Sequence, residues 1–272
     1  MDFSIKLSNG IVLRGIAESP GENTKAVMIL VHGLGDHVQR YKHWINLFKN
    51  EGISIVAVDL PGHGRSPGRR GHISSYNVVR EMIDILLDTS KQTFSGIPVY
   101  IYGHSMGGGM VLDYLIRTNP GVAGAIVTSP WLKLANEPPK IKLVLASLLN
   151  HILPGFIQSS GLNADYISQD REVVRLYKDD PLVHGKISVR LCNISFNAAK
   201  FALVNSAELK VRTLLLQGSD DKIVSPQGSM EFAANAEKVD FKIFEGGYHE
   251  LHNEPFKSEV FDYILKWINN KP

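Results

Sequence analysis

The chain has few of the features that mark extracellular or membrane proteins. Its 272 residues include one cysteine, Cys192, which cannot form an internal disulfide, so nothing indicates an oxidising compartment. No apolar run approaches the ~18 residues of a membrane-spanning helix, and the N-terminus lacks the basic-then-apolar pattern of a signal peptide. We therefore expect a soluble, cytoplasmic protein, and a secreted form whose signal has been removed stays open.

A strong charge of either sign is also missing. The chain carries 29 Lys and Arg against 27 Asp and Glu, a formal net charge of +2, with no basic block or aromatic-interleaved basic stripe. Nucleic-acid-binding proteins usually show such a basic footprint. We therefore expect no nucleic-acid partner, and the sequence leaves the oligomeric state open.

What the sequence does contain is a repeated alternation of buried strands and helices. Hydrophobic residues make up 44% of the chain, enough for a large core. The predicted buried strands lie at residues 26–31, 53–58, 99–102, 125–128, 213–216 and 241–244. Strands that alternate with helices predict an α/β fold, a mostly parallel sheet with helices on both faces. The alternation stops over residues 131–207, so we expect a core from 1–130 and 208–272 and a helical cap from 131–207.

A candidate nucleophile lies directly after the predicted strand at 99–102. Gly103, Ser105 and Gly107 form a G-x-S-x-G pattern that is followed by a helix. In this context the serine is forced into a strained turn above the sheet, and the helix N-terminus favours the negative charge of a developing oxyanion. Glycine is needed at both flanking positions because a side chain there would collide with neighbouring backbone. The whole pattern indicates a catalytic serine.

A serine hydroxyl is a good nucleophile only when a base takes its proton. Where a G-x-S-x-G serine lies on a sheet of this kind, the acid and the histidine follow the serine in that order. Of ten histidines, only His249 and His252 follow the last predicted strand. His249 is favoured because its short loop comes directly after that strand, whereas His252 is expected at the surface or at a helix cap. The acid is expected in the loop after residues 213–216, where spacing alone leaves Asp220 and Asp221 open.

Six segments together resemble the monoacylglycerol lipase and lysophospholipase group of α/β hydrolases. They are residues 32–37 with Arg40 and Tyr41, 59–66, 103–108, 180–182, 217–224 and 248–254. The resemblance implies the α/β-hydrolase fold, Asp221 as the acid because Lys222 follows it, and an oxyanion hole formed by the backbone N–H groups of Leu34 and Met106. It implies no metal and no organic cofactor.

Four other patterns each allow two interpretations. His32, Asp36 and His37 could suggest a metal site, but the surrounding glycines favour an oxyanion loop, and His63 is favoured as a turn residue over a catalyst. A basic loop at the active-site edge is either solvated or contacts a phosphate head group; it contains Arg65, Arg69 and Arg70. The apolar face of the helix predicted over residues 140–152 either packs on the domain or lines an acyl tunnel and touches a membrane surface.

These patterns predict a serine carboxylic-ester hydrolase that cleaves lipid-like monoesters, such as a monoacylglycerol or a lysophospholipid, through an acyl-enzyme. The partner is a small-molecule lipid ester, and transient membrane contact through the cap is an extension of the same hypothesis. The alternatives are a short-chain carboxylesterase, an acyltransferase, or a non-catalytic receptor on the same scaffold.

Overall fold

A computed structural model describes residues 2–270. The strands are β1 (Asp2–Lys6), β2 (Val12–Glu18), β3 (Ala26–Val31), β4 (Ile53–Val58), β5 (Val99–His104), β6 (Gly124–Thr128), β7 (Ile157–Ser159), β8 (Lys186–Ser188), β9 (Thr213–Gly218) and β10 (Val239–Phe244). The helices are α1 (Lys42–Asn50), α2 (Tyr76–Thr93), α3 (Met106–Thr118), α4 (Lys140–Ile152), α5 (Arg171–Asp179), α6 (Val189–Val204), α7 (Pro226–Asn235) and α8 (Lys257–Asn269).

Eight strands form one sheet in the order β1-β2-β4-β3-β5-β6-β9-β10. The pairs from β4 to β10 are parallel, whereas β2 pairs antiparallel with both β1 and β4. Every residue of β3, β4, β5, β6 and β9 is buried, which explains their continuous apolar sequences, because such strands are covered on both faces. The predicted α/β fold is confirmed.

The two faces of the sheet support two separate hydrophobic layers. Val27 and Ile29 of β3 point to one layer, which α2, α3, α6 and α7 complete, and Met28 of β3 points to the other, which α1 and α8 complete. Side chains alternate between faces along a strand, so neighbouring residues of one apolar run serve different layers. The carboxyl ends of the parallel strands are therefore held from both sides, and the candidate site lies at that edge.

The segment 131–207 contains α4, α5 and α6, and α6 packs against α3 of the sheet domain. It also contains a two-stranded antiparallel sheet of β7 and β8 that the sequence did not predict. Each of these strands has three residues, too few to show a period-two pattern. No helix within residues 2–270 is both long enough and apolar enough to cross a membrane.

The packing interpretation of α4 is wrong for most of its apolar face. The exposed fractions are 64% for Ile141, 55% for Val144, 57% for Leu145, 60% for Leu148 and 75% for Ile152. Helical spacing establishes that these side chains share one face, but it does not say what covers the face. Here most of that face is open, so the helix presents an apolar surface to the outside.

Candidate active site

Ser105 lies at a sharp turn between β5 and α3. Its backbone has φ 55° and ψ −121°, a conformation that costs a non-glycine residue about 1–3 kcal/mol. Glycine is needed on both sides of the turn. A Cβ at Gly107 would lie 2.3 Å from the backbone oxygen of Val31, and one at Gly103 would lie 2.9 Å from the backbone oxygen of Gly107. These close approaches lift the Ser105 hydroxyl above the strand ends, as the G-x-S-x-G pattern predicts.

The structure brings together the hydroxyl, imidazole and carboxylate that were predicted separately. His249 Nε2 lies 2.8 Å from Ser105 Oγ, and His249 Nδ1 lies 2.8 Å from Asp221 Oδ2. A carboxylate can only accept, so Nδ1 must carry the proton that faces Asp221. In the neutral ring Nε2 is then an acceptor, and the Ser105 hydroxyl donates to it. This arrangement can remove a proton from the serine as the oxygen attacks an electrophile.

Asp221, rather than Asp220, faces His249. Its Oδ1 accepts the backbone N–H groups of Ile223 at 2.9 Å and Val224 at 3.0 Å, which fixes the carboxylate at the end of β9. Its Oδ2 also accepts from Gln217 Nε2 at 3.0 Å. Asp220 is exposed, and its carboxylate accepts from the neighbouring serine hydroxyl. The two side chains diverge, as expected for adjacent residues.

The electrostatics of the site favour a basic imidazole. Burial alone lowers the pKa of His249, but the charge and hydrogen bond of Asp221 outweigh it, and the pKa is raised above its usual 6.5. The His104 ring lies 4.9 Å from the His249 ring, centroid to centroid. Burial lowers the pKa of His104 to about 4, so that neighbouring ring stays neutral near pH 7.

The predicted oxyanion donors lie on either side of the turn. Met106 is the first residue of α3, where a helix leaves its backbone N–H groups without partners inside the helix. Leu34 follows Gly33, at which an added Cβ would lie 3.2 Å from Ser105 Cβ, so that loop passes close to the serine. His32 holds the loop, because its Nε2 accepts the Leu60 N–H at 2.9 Å. The role of both donors stays a prediction.

A cavity of about 260 Å³ opens at Ser105. Its walls come from the loops at the strand ends and from the segment 131–207. The lining is mainly apolar or uncharged, including Leu34, Trp131 and Val224, and Lys222 is the only charged residue among the described residues that line it. The space therefore suits a largely neutral ligand.

Of the other candidate residues, one has surroundings that differ from those expected. His252 is fully buried and stacks on Tyr41 with 4.7 Å between ring centroids, so the expectation of a surface or capping position is wrong. His63 is also fully buried, and its Nδ1 lies 2.9 Å from the backbone oxygen of Pro61 within the predicted turn. The side chains of His32, Asp36 and His37 each bind a different partner. His32 accepts the Leu60 N–H, Asp36 accepts the Tyr41 hydroxyl, and His37 Nε2 lies 3.0 Å from Asp180 Oδ2.

The basic loop does not reach the cavity. None of its three arginines is among the described residues that line the space at Ser105. Arg65 lines a separate depression beside Arg14, and Arg70 donates to the backbone oxygen of Gly64 at 2.7 Å. These positions give the phosphate-contact hypothesis no support.

Two polar side chains that sequence reasoning missed support the site. Gln217 donates to Asp221 and in turn accepts the Ser229 hydroxyl at 2.8 Å, so it fixes the acid from inside β9. Glu250, next to His249, binds the guanidinium of Arg40. Gln217 directly follows the strand predicted over residues 213–216, and a polar residue at that carboxyl end was a usable signal; the observed strand extends to Gly218 and includes it. Arg40 is 210 positions away from Glu250 in sequence, so this contact had no local signal.

A strained serine at a strand-to-helix turn, an imidazole on its hydroxyl and a carboxylate behind that imidazole lie at the carboxyl edge of a parallel sheet. These features define a serine hydrolase with the α/β-hydrolase fold. The family model described as Hydrolase_4, serine aminopeptidase, S33, matches residues 22–256, and the chain belongs to this family.

Individual relatives give the same picture. A monoacylglycerol lipase of Mycolicibacterium smegmatis is 30% identical, with 92% of this chain and 90% of that protein covered. The solved structure of a monoacylglycerol lipase from Paleococcus ferrophilus is 30% identical with a TM-score of 0.85, and it covers 100% of this chain and 99% of that one. An abhydrolase domain-containing protein of Dictyostelium discoideum is 36% identical over 90% of this chain, which spans 26% of that protein's length.

The resemblance to the monoacylglycerol lipase group, predicted from the motifs, is confirmed by these relatives. The chain is a serine hydrolase of the ester-hydrolysing class. 

Proposed function

We propose that the protein hydrolyses a monoacylglycerol or a closely similar lipid monoester, with Ser105 as nucleophile, His249 as base and Asp221 as the residue that orients the base. The observation that carries this proposal is the pair of hydrogen bonds that joins Asp221 to His249 and His249 to Ser105, each 2.8 Å long. Ser105 lies at a cavity with mainly uncharged walls. Two of the relatives are monoacylglycerol lipases, which supports the choice of substrate.

In the proposed reaction, Ser105 Oγ attacks the ester carbonyl carbon while His249 Nε2 takes the hydroxyl proton. The tetrahedral intermediate collapses, the carbon–oxygen bond to glycerol breaks, and the imidazolium donates its proton to the departing alkoxide. Water then attacks the acyl-enzyme while His249 takes its proton. The bond to Ser105 Oγ breaks, the imidazolium returns the proton to Ser105, and the fatty acid is released. Asp221 keeps the ring in the required tautomer throughout. These steps need no metal and no organic cofactor.

We assign the oxyanion hole to the backbone N–H groups of Leu34 and Met106. Both belong to segments that are fixed before the reaction, because His32 holds the loop and the first turn of α3 holds Met106. Preorganised donors of this kind each stabilise the intermediate by about 3 kcal/mol. Their side chains are not needed for this role, although Leu34 also lines the cavity.

We assign residues 131–207 to a cap over the core formed by 1–130 and 208–272. In support, the cavity at Ser105 is lined by residues of both parts, for example Val224 of the core and Leu162 and Tyr166 of the cap. The exposed apolar face of α4 lies on the outside of the same segment. We propose that this face touches the lipid aggregate that holds the substrate, because burial of apolar side chains in such a surface is favourable. The cytoplasmic location stays a prediction.

The test compares wild-type protein with Ser105→Ala on short p-nitrophenyl esters, monoacylglycerols and lysophospholipids. We expect Ser105→Ala to lose about 10⁶-fold in kcat, as other triads do when the nucleophile is removed. Retained activity would exclude Ser105 as the nucleophile. The arginine positions favour a neutral head group, so we expect monoacylglycerols to be cleaved with a higher kcat/KM than lysophospholipids.

The same assay separates the alternatives. Preference for acetyl or butyryl esters would identify a short-chain carboxylesterase, and transfer of the acyl group to added glycerol would identify an acyltransferase. A fluorophosphonate that fails to label Ser105, together with no turnover of any ester, would favour a receptor.

A further inference from the structure

One buried arginine contacts both of the loops that the proposed mechanism uses. Arg40 lies in the helical turn Val38–Tyr41, and its side chain is 9% exposed. Its Nη1 donates to Asp36 Oδ1 at 3.0 Å and to Glu250 Oε1 at 2.8 Å, and its Nη2 donates to Glu250 Oε2 at 2.7 Å. The guanidinium therefore binds two carboxylates at once.

These two carboxylates occupy informative positions along the chain. Asp36 lies two residues after Leu34, whose N–H we assign to the oxyanion hole, and Glu250 directly follows His249. We call residues 32–37 the oxyanion loop and residues 245–253 the histidine loop. Arg40 thus joins the segment that holds the proposed oxyanion donor to the segment that holds the proposed base.

Each carboxylate is also fixed within its own surroundings. Asp36 accepts the backbone N–H of His37 at 2.7 Å and the Tyr41 hydroxyl at 2.9 Å. Glu250 accepts from Asn253 Nδ2 at 2.6 Å, and its own backbone N–H donates to Ile167 at 2.7 Å. Both carboxylate side chains are 5% exposed, so the charged hydrogen bonds are shielded from water. The contacts of Arg40 are therefore anchored in both loops.

We infer that Arg40 is a positioning residue that sets the distance between the oxyanion loop and the histidine loop. The inference rests on the proposed function, in which the Leu34 N–H and the His249 ring act on the same tetrahedral intermediate. Small errors in such a geometry are costly, because a displacement of about 1 Å can lower the rate about 100-fold. Arg40 and Glu250 are 210 residues apart in sequence, so nothing local keeps the two loops in this alignment.

The test is a double-mutant cycle with Asp36→Asn and Glu250→Gln. Each substitution keeps the side-chain shape and leaves Arg40 paired with the other carboxylate, so no buried charge loses its counter-charge. We measure kcat and KM on a p-nitrophenyl ester, the rate of fluorophosphonate labelling of Ser105, and Tm. Each single variant is expected to lose about tenfold in kcat and in labelling rate, with KM within about twofold of wild type.

The double variant shows whether the two contacts of Arg40 act on kcat together or separately. If Arg40 joins the loops, breaking either contact releases both. The double variant leaves the buried Arg40 charge without a counter-charge, so its Tm is expected to fall. At a temperature where Tm shows it to be folded, its kcat is expected to stay within about twofold of that of the more impaired single variant. Losses that multiply would overturn the inference, as would singles that keep wild-type kcat. Should a single variant fail to fold, Arg40→Lys serves instead, because it keeps the charge but lacks the planar fork that reaches three oxygens. It is expected to show the same loss in kcat at unchanged KM.

A remote ion pair provides the control for general destabilisation. Asp113 is 1% exposed and binds Arg80 and Arg117, each at 2.9 Å. Asp113→Asn is expected to lower Tm and to leave kcat within about twofold of wild type. A loss of kcat in this variant equal to that of Glu250→Gln would overturn the inference. Ser105→Ala is assayed in parallel. If this variant stays active, the proposed function fails. If it is inactive while both single variants keep wild-type kcat, only the role of Arg40 fails.

Discussion

Replacement of Asp221 by Asn provides the sharpest test of the site, because the structure dictates how the amide must sit. The oxygen at Oδ1 accepts two backbone N–H groups, those of Ile223 and Val224, which cannot be reversed. Apart from His249, the donor at Oδ2 is the side-chain amide of Gln217, which can turn over to present its oxygen. The Asn oxygen is therefore expected to take the Oδ1 position. The NH₂ group then faces His249 Nδ1. A donor there requires Nδ1 to accept, so the ring proton moves to Nε2 and points at Ser105 Oγ. The imidazole can no longer take the serine proton.

The expected cost is about 10⁴-fold in kcat at neutral pH, the size of effect that a reversed tautomer produces in another serine hydrolase. The assay is turnover of a p-nitrophenyl ester, with Tm measured on the same sample. Asp220→Asn is the matched control, because that carboxylate is exposed and points away from His249, and it should stay within about twofold of wild type. A kcat for Asp221→Asn within tenfold of wild type, or an equal loss in Asp220→Asn, would refute the reasoning.

Three further expectations follow from other parts of the molecule. The raised pKa of His249 predicts that kcat/KM falls as pH drops through a midpoint above 6.5, because the protonated ring cannot accept the Ser105 proton. A pH–rate profile with a midpoint below 6.5 would contradict this. Gly107→Ala puts a methyl group 2.3 Å from a backbone oxygen of β3 and should cost about 3 kcal/mol in urea unfolding, whereas Gly121→Ala, where the nearest atom is 3.8 Å away, should be close to neutral. Leu148→Glu should weaken co-sedimentation with lipid vesicles, unlike Val204→Glu, which changes an apolar residue on α6 that is 73% exposed against 60% for Leu148. Equal binding by both variants would argue against the α4 surface.

The parts of the fold that could be predicted are those whose signal lies within one element. Continuous apolar runs marked the buried strands, and the glycines around Ser105 marked the turn, because both features follow from local packing. The order of serine, acid and histidine along the chain reduced ten histidines to two. Asp221 needed the resemblance to a known family, since adjacent aspartates differ only in where the folded loop directs them.

The parts that could not be predicted depend on partners that are distant in sequence. His252 looked like a surface residue because nothing in its own segment shows that Tyr41 lies against its ring. Arg40 and Glu250 belong to segments that resemble the family, but their contact with each other had no signal for the same reason. The α4 pattern identified a shared apolar face but not whether the rest of the protein covers it. In each case the missing information was a contact between segments, which periodicity within one segment does not contain.

The site is assembled from the ends of different strands in the middle and at one edge of the sheet. Ser105 and His249 are 144 residues apart, and Asp221 lies 28 residues before His249. No fragment shorter than this span can hold the relay, and the contacts that close it are among the least local in the chain, which makes them slow to form during folding. Recovery of ester turnover after dilution from denaturant therefore reports completion of the whole sheet, while recovery of helical circular dichroism reports only its earlier steps.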